Sequence, residues 1–277
     1  MLGYFPGCTV RAQKDDGFER ESMAILNALG VPVAELSEWE CCGAVYPLTK
    51  DEYAPLLSSV RALKRTAEEH RQGLLTLCSA CYHVFKRVNY RMQTDEVAKK
   101  RVESYLGSPY DGSTKVYHLI EVLRDAVGFD RLQASVVAPL TGEKIACYYG
   151  CLFLRPREAM DLLEVENPQL MDRLVEAMGA KAVTFPYRTD CCGSYHTYQR
   201  EQVSQNVSQR IVLAARAAGA TQMVTACPLC KYNLEQCQRG WDLKDRLPVL
   251  YITAPIVKAL GGLLALEQVK PARQTAN

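Results

Sequence analysis

Residues 73–85, GLLTLCSACYHVF, and residues 222–234, QMVTACPLCKYNL, lie over one another when the chain is set against itself. Each reads as a short apolar strand running into C-x-x-C at the start of a helix, with Cys78 and Cys81, or Cys227 and Cys230, at the joint. Upstream, AILNALGVPVAELSEWECCGAVY meets RLVEAMGAKAVTFPYRTDCCGSYH, which sets Cys41 and Cys42 on Cys191 and Cys192 and Gly30 near Gly179. Further upstream, GYFPGCTVRAQ meets CYYGCLFLRP, with Cys8 over Cys151. Self-similarity at one offset across three blocks is the mark of a repeated unit. Ten of the 12 cysteines pair in this way, leaving Cys147 and Cys237 unmatched.

The runs Leu2–Phe5, Val31–Leu36, Leu74–Leu77, Ile145–Tyr149, Ala182–Phe185 and Met223–Thr225 are rich in β-formers. They alternate with helical patterns: Leu56, Val60, Leu63 and Ala67 in one half, Val203, Val207, Ile211, Ala214 and Ala218 in the other, the latter stopped by Gly219. The expectation is an α/β fold of two repeated cysteine-rich domains with parallel strands, residues 1–138 and 139–277, divided at the turn-prone APLTGE near 135–142. Ligands of such sheets collect at the carboxyl ends of the strands, where all five cysteines of each half fall. The apolar stretch Ile252–Leu266 reads as a C-terminal packing helix, followed by a frayed tail after Glu267.

With 48% apolar and 23% charged residues, the 277-residue chain has the composition of an ordinary globular protein. A net charge of +2 without a basic block gives no reason to expect nucleic acid. Neither a signal peptide nor an apolar run of about 20 residues is visible, so a cytoplasmic location without a membrane span is expected. In that compartment thiols stay reduced, and twelve cysteines point to metal or redox chemistry rather than disulfides.

The spacings are C-x32-C-C-x35-C-x2-C and C-x39-C-C-x34-C-x2-C. A C-x-x-C at a helix start turns two thiolates toward one metal, with free N–H groups and the helix dipole favouring their charge. Four thiolates suffice for zinc or a cubane, and each half offers five. Neighbouring cysteines at the C-C step point in different directions and more readily reach two metal atoms than chelate one, which favours a polynuclear cluster. Gly43 and Gly193 after each pair suit a close backbone approach or a positive φ.

On these C…CCG…CxxC blocks, together with FPGC and YYGCLFLRP, nearly the whole chain resembles the CCG-domain family, specifically the B-type subunit of heterodisulfide reductase. The resemblance implies two non-cubane [4Fe–4S] clusters, one on Cys8, Cys41, Cys42, Cys78 and Cys81, the other on Cys151, Cys191, Cys192, Cys227 and Cys230. It implies a small-molecule disulfide cleaved, or formed, between the clusters, one electron coming from each. It also implies electrons delivered by a ferredoxin-like [4Fe–4S] subunit, with a flavin-containing subunit behind it. No G-x-G-x-x-G or P-loop is present for a flavin, a nicotinamide or a nucleotide.

After Cys151 stand Leu152 and Phe153, where many relatives are expected to carry a histidine, so a proton donor would have to be His196 or His83. A surface or core-capping role is the plainer reading of both. Arg155 and Arg157 are candidates for an anionic substrate tail but read better as solvated surface. Tyr148 and Tyr149 read as packing beside the second site, Cys147 as a buried small hydrophobe, and Cys237 as a spare thiol. Three functions compete: a disulfide oxidoreductase, which two complete cysteine sets favour; a subunit relaying electrons between a dehydrogenase partner and a quinone; and a zinc-stabilised scaffold. One cluster plus zinc is the alternative cofactor content.

Overall fold

A computed structural model describes residues 1–12, 17–44, 53–162 and 164–262. The first half runs β1 (Leu2–Phe5), α1 (Cys8–Ala12), α2 (Phe18–Ala28), β2 (Val33–Glu35), α3 (Ala54–Glu68), β3 (Leu74–Thr76), α4 (Ser79–Thr94), α5 (Glu96–Leu106) and β4 (Val116–His118). It closes with α6 (Leu119–Val122), a π-helical turn over Leu123–Val127 and α7 (Phe129–Ala134). The second runs β5 (Lys144–Cys147), α8 (Arg157–Met160), α9 (Leu170–Ala177), β6 (Lys181–Val183), α10 (Glu201–Ala217), β7 (Gln222–Thr225), α11 (Pro228–Gln236), β8 (Val249–Tyr251) and α12 (Thr253–Ala259).

Each half builds one four-stranded sheet in which every pairing is parallel, ordered β2-β1-β3-β4 and β6-β5-β7-β8. The α/β class and the repeat read from the sequence are therefore present. The central strands are buried but for the first residues of β1, β5 and β7, with Leu74, Leu75 and Thr76 in β3 and Met223, Val224 and Thr225 in β7 all sealed. This is the pattern of a sheet covered on both faces. Strands β4 and β8 are additional to the runs read from the sequence; VYH and VLY are three-residue edge strands, too short to show an alternation.

Several bounds shift for visible reasons. β2 begins at Val33 because the Val31 N–H turns back to the Leu26 carbonyl and Pro32 has no N–H to offer. Beyond Cys147, the Tyr148 N–H still bonds the Val224 carbonyl on β7, but Tyr149 and Gly150 both donate to the Arg188 carbonyl and leave the sheet. The C-terminal helix spans Thr253–Ala259 rather than starting at Ile252, and Gly261 and Gly262 follow it at positive φ. The rest of that expected helix and the tail, 263–277, lie outside the described residues.

The halves are laced together at their ends. α12 packs on α2 of the first half, with the Thr253 hydroxyl donating to Glu21 at 2.6 Å. Tyr251 stacks on Phe18 with centroids 3.9 Å apart. In return α7 packs on α9, where the Arg173 guanidinium covers the Phe129 ring at 4.1 Å. One buried cluster accordingly runs from Tyr4 to Ala259, and a second, smaller one lies within the second half around Ile211, Met223 and Leu234. Among the described residues no helix is long and apolar enough to cross a membrane.

Candidate metal centre

Cys78 and Cys227 are the N-cap residues of α4 and α11, each in extended conformation, so that Cys81 and Cys230 stand one turn into the helix. Cys8 opens α1 directly after β1, and Cys151 lies in the turn after β5. The C-C steps diverge as the alternation of an extended segment requires: Cys42 and Cys192 are buried, Cys41 is half-buried and Cys191 exposed. Cys42 Sγ lies 3.1 Å from Cys81 Sγ, Cys192 Sγ 3.5 Å from Cys230 Sγ, and Cys8 Sγ 3.8 Å from Cys41 Sγ.

Glycines make these approaches possible. Gly7 and Gly150, each just ahead of its leading cysteine, have φ of +73° and +65°. A Cβ there would stand 3.0 Å from Cys81 Sγ and 3.2 Å from Cys230 Sγ. Gly43 and Gly193, at φ +82° and +80°, turn their N–H groups back onto Cys41 and Cys191 Sγ at 3.5 and 3.2 Å. The bend that left-handed glycine permits is thus what directs a donor at a cysteine sulfur.

Serines of the following helix fix the loop. Ser59 on α3 donates to the Cys42 carbonyl at 2.8 Å, and Ser208 on α10 to the Cys192 carbonyl at 3.0 Å. Asn233 on α11 adds a bond to the Cys192 carbonyl at 3.2 Å and one to its Sγ at 3.7 Å. This rotates the buried stripe of α10 from the expected Val203 and Val207 to Ser204, Ser208, Ile211, Val212 and Ala215. The helix meets backbone carbonyls at this end, and a small hydroxyl satisfies them where valine would not.

The thiols share protons unequally. Hydrogen bonding with Cys41 and Cys81 pulls Cys42 down to about 4, while Cys81 is pushed up. In the second half hydrogen bonds from Cys151 and then Cys192 lower Cys191 to about 2, and Cys192 is pushed up to about 12. Cys227, held by the hydrogen bond from Cys230, is lowered as well. Among the described residues no three His, Cys, Asp or Glu side chains gather around a point fit for one metal ion; the sulfurs close up in pairs. Buried thiols beside thiolates, donor N–H groups aimed at sulfur and glycine clearance together fit an electron-deficient, sulfur-seeking cofactor.

The two sites face one another. Ser79, next to Cys78, donates its hydroxyl to the carbonyl of Ala226, next to Cys227, at 3.0 Å. His118 Nδ1 accepts the Ile120 N–H, which leaves its Nε2 to donate to Ser79 Oγ at 3.4 Å. Tyr82, His118 and Phe153 fill the space alongside, with centroids 5.1–5.6 Å apart. Tyr195, three residues past Cys192, bonds the Ala44 carbonyl, two past Cys42, at 3.0 Å.

The cysteine-rich domain model CCG matches residues 2–86 and 145–235, one copy on each half. The chain belongs to the CCG cysteine-rich domain family. This CCG-domain chain is 33% identical to the 8-methylmenaquinol:fumarate reductase membrane anchor subunit of Wolinella succinogenes, over 94% of the chain and 92% of that relative. It is 29% identical to the B-type subunit of the ferredoxin/F420H2-dependent CoB-CoM heterodisulfide reductase of Methanosarcina acetivorans, over 94% and 89%. A hypothetical protein from Helicobacter pylori superposes with a TM-score of 0.73 at 12% identity; this chain is covered to 96% and spans half of that one. That likeness concerns the fold alone.

The remaining candidates of the CCG-domain chain separate. His196 is exposed, and its N–H closes a 3-10 turn on the Gly193 carbonyl at 2.8 Å. His83 is buried on α4; burial, reinforced by Arg87, pushes it down to about 4, so its ring is neutral at pH 7. Arg155 is partly exposed, and its guanidinium bonds the Thr189 carbonyl and the exposed Glu166, both at 3.0 Å. Arg157 is exposed at the start of α8. Tyr148 bonds the Asp190 carbonyl at 2.6 Å, beside the second site. Cys147 is fully buried, its thiol raised by burial; Cys237 ends α11, donates to the Leu234 carbonyl at 3.3 Å and is raised to about 12 by burial.

Gly7, Gly150, Ser59, Ser208, Asn233, Ser79 and His118 join the site only in three dimensions. The glycines are visible in the aligned FPGC and YYGC blocks, and the serines as polar breaks in an apolar stripe.

Proposed function

We propose that the chain is an iron–sulfur redox subunit of a multisubunit oxidoreductase that carries electrons between two clusters. Cys8, Cys41, Cys42, Cys78 and Cys81 would hold one, and Cys151, Cys191, Cys192, Cys227 and Cys230 the other. The observation that supports this best is the Ser79–Ala226 bond, which joins the residue after Cys78 to the residue before Cys227 where the two sites face one another. When bound, such clusters supply one-electron chemistry. The protein's part is to place them: Tyr82, His118 and Phe153 keep water out of the seam, and Gly43 and Gly193 direct N–H groups at the thiolates. Five thiols per half, more than zinc or a cubane needs, favour non-cubane [4Fe–4S] clusters, and their like pairing in both halves favours two clusters over one plus zinc.

The similarity to a fumarate reductase subunit supports a relay between a dehydrogenase partner and a quinone. In that assembly the chain would be cytoplasmic and reach the membrane through a partner, with ferredoxin-like and flavin subunits supplying electrons. A second reading is disulfide reduction or formation, which the heterodisulfide reductase relatives support. Exposed Cys8 and Cys191 favour it, since they open each site to a small thiol compound.

Anaerobic purification with iron and acid-labile sulfide quantification tests the shared core of both readings. Abundant iron and sulfide are expected; about two zinc ions without sulfide would sink it. Electron paramagnetic resonance then separates them. A quinol that reduces the clusters while thiols and disulfides leave the spectra unchanged fits the relay, and thiol-perturbed spectra fit the disulfide reaction.

A further inference from the structure

Thr76 and Thr225 occupy the same place in the two halves, at the last residue of β3 and of β7 and two residues ahead of Cys78 and Cys227. Both are fully buried, and neither hydroxyl has a hydrogen-bond partner. A buried polar atom left unpaired is destabilising, and native proteins rarely tolerate it without a reason. Here it occurs twice, at positions related by the repeat.

The sheet register shows what the two hydroxyls stand beside. Paired residues of adjacent strands send their side chains to the same face, so Phe5, Thr76 and His118 form one row. Phe5 meets Phe85 and His118 meets Tyr82, at 4.7 and 5.6 Å, which places this row under α4, the helix that carries Cys81. In the second half Thr225 pairs with Tyr251, and Tyr148, one step past the Cys147–Val224 pair, continues β5 beside it.

The same aromatic neighbours border the sulfurs. A point at the Gly7 Cβ position is 3.0 Å from Cys81 Sγ and 3.4 Å from the Phe5 ring. The corresponding point at Gly150 is 3.2 Å from Cys230 Sγ and 3.4 Å from the Tyr148 ring. Phe5 and Tyr148, the strand neighbours of Thr76 and Thr225, thus also border Cys81 and Cys230. Each orphaned donor therefore stands one ring away from a sulfur of its own cysteine site and bonds to none of the rings around it.

We propose that the Thr76 and Thr225 hydroxyls each donate a hydrogen bond to a sulfur atom, thiolate or inorganic sulfide, of the cluster held in their half, and so raise its reduction potential. This rests on the iron–sulfur reading above. A donor at a cluster sulfur withdraws negative charge, and the reduced cluster carries more of it, so the reduced form gains more. Each threonine acts on its own half alone, which lets the two potentials be set independently.

The test uses the full chain purified anaerobically, as wild type and as Thr76→Val, Thr225→Val, Thr76→Ser and Thr225→Ser. Valine removes the hydroxyl and keeps the shape; serine keeps the hydroxyl. Iron and sulfide content, a redox titration followed by electron paramagnetic resonance, and deuterium couplings after exchange into D2O are measured. Each valine variant is expected to lower one midpoint potential and lose one exchangeable coupling at that cluster, while the serine variants retain both. Where a valine variant fails to load, the serine variant decides: wild-type potential and coupling support the proposal, and their loss overturns it. Loaded valine variants with unchanged potentials and couplings overturn the proposal alone, whereas a wild-type chain without iron and sulfide overturns the iron–sulfur reading beneath it.

Discussion

The two halves present the same cysteines on the same glycines and helix starts, yet they brace them by opposite means. In the first half Arg11 bridges Glu19 and Glu35 at 3.0 and 2.7 Å, with every partner at least a quarter exposed. In the second, Arg188 and Asp172 form a sealed ion pair, and Asp172 also accepts the Tyr149 hydroxyl at 2.6 Å. Arg188 gives a further bond to the Pro168 carbonyl at 2.8 Å, while its own carbonyl receives the N–H groups of Tyr149 and Gly150, immediately before Cys151. The site geometry is common to both halves because sulfur placement tolerates little variation; the means of holding it are not.

The largest expected difference follows from that burial. Asp172→Ala strands the Arg188 charge and should cost about 3–5 kcal/mol, whereas Glu19→Ala should cost about 0–1 kcal/mol, both read from chemical denaturation. Equal losses would break the contrast between a sealed and a solvated brace. Acid sharpens it in the other direction, since the row under α4 ends in His118 and the row under α11 in Tyr251. Burial holds His118 down at about 3. The unfolded chain takes up a proton near pH 6.5 and the folded one does not, so stability is full above about 6.5 and falls toward pH 3 by up to about 1.4 kcal/mol per pH unit. His118→Gln should flatten this limb in pH-dependent unfolding; an unchanged profile would remove His118 as its source.

Gly7→Ala and Gly150→Ala each force a Cβ toward a sulfur from a left-handed backbone, for about 1–3 kcal/mol of strain. Each should also reduce the iron held in its own half only, as read by cluster-resolved resonance signals; simultaneous loss from both would deny that the halves load separately. Smallest is Tyr148→Phe, which gives the second half the ring that Phe5 supplies in the first. It forfeits the bond to the Asp190 carbonyl, about 1 kcal/mol, and no measurable change in melting would mean the hydroxyl does nothing for stability.

The sequence displays what repeats and hides what packs. Strand-forming runs and C-x-x-C helix starts are local, so β1, β3, β5, β7 and the capping roles of Cys78 and Cys227 can be read directly. The edge strands β4 and β8 cannot, because VYH runs straight into the apolar start of α6 and VLY into that of α12, so neither stands apart as a run. Counting only apolar residues misses Ser204 and Ser208, since their burial depends on carbonyls some 12 to 16 positions away. The seam bond from Ser79 to Ala226 joins residues 147 apart, and no local pattern announces it. Thr76 and Thr225 stand in register in the aligned blocks, but a threonine at a strand end is unremarked until its hydroxyl is seen to have no partner.

The exchange of end helices has a bearing on how the protein is made. α2, near the amino terminus, is covered by α12, among the last described residues to leave the ribosome. Its apolar face, with Phe18 waiting for Tyr251, stays open until the end of the second half has been made. The first cysteine site is thus synthesised early but gains its full support late. Cutting the gene between the halves would leave each product missing the helix that the other encodes.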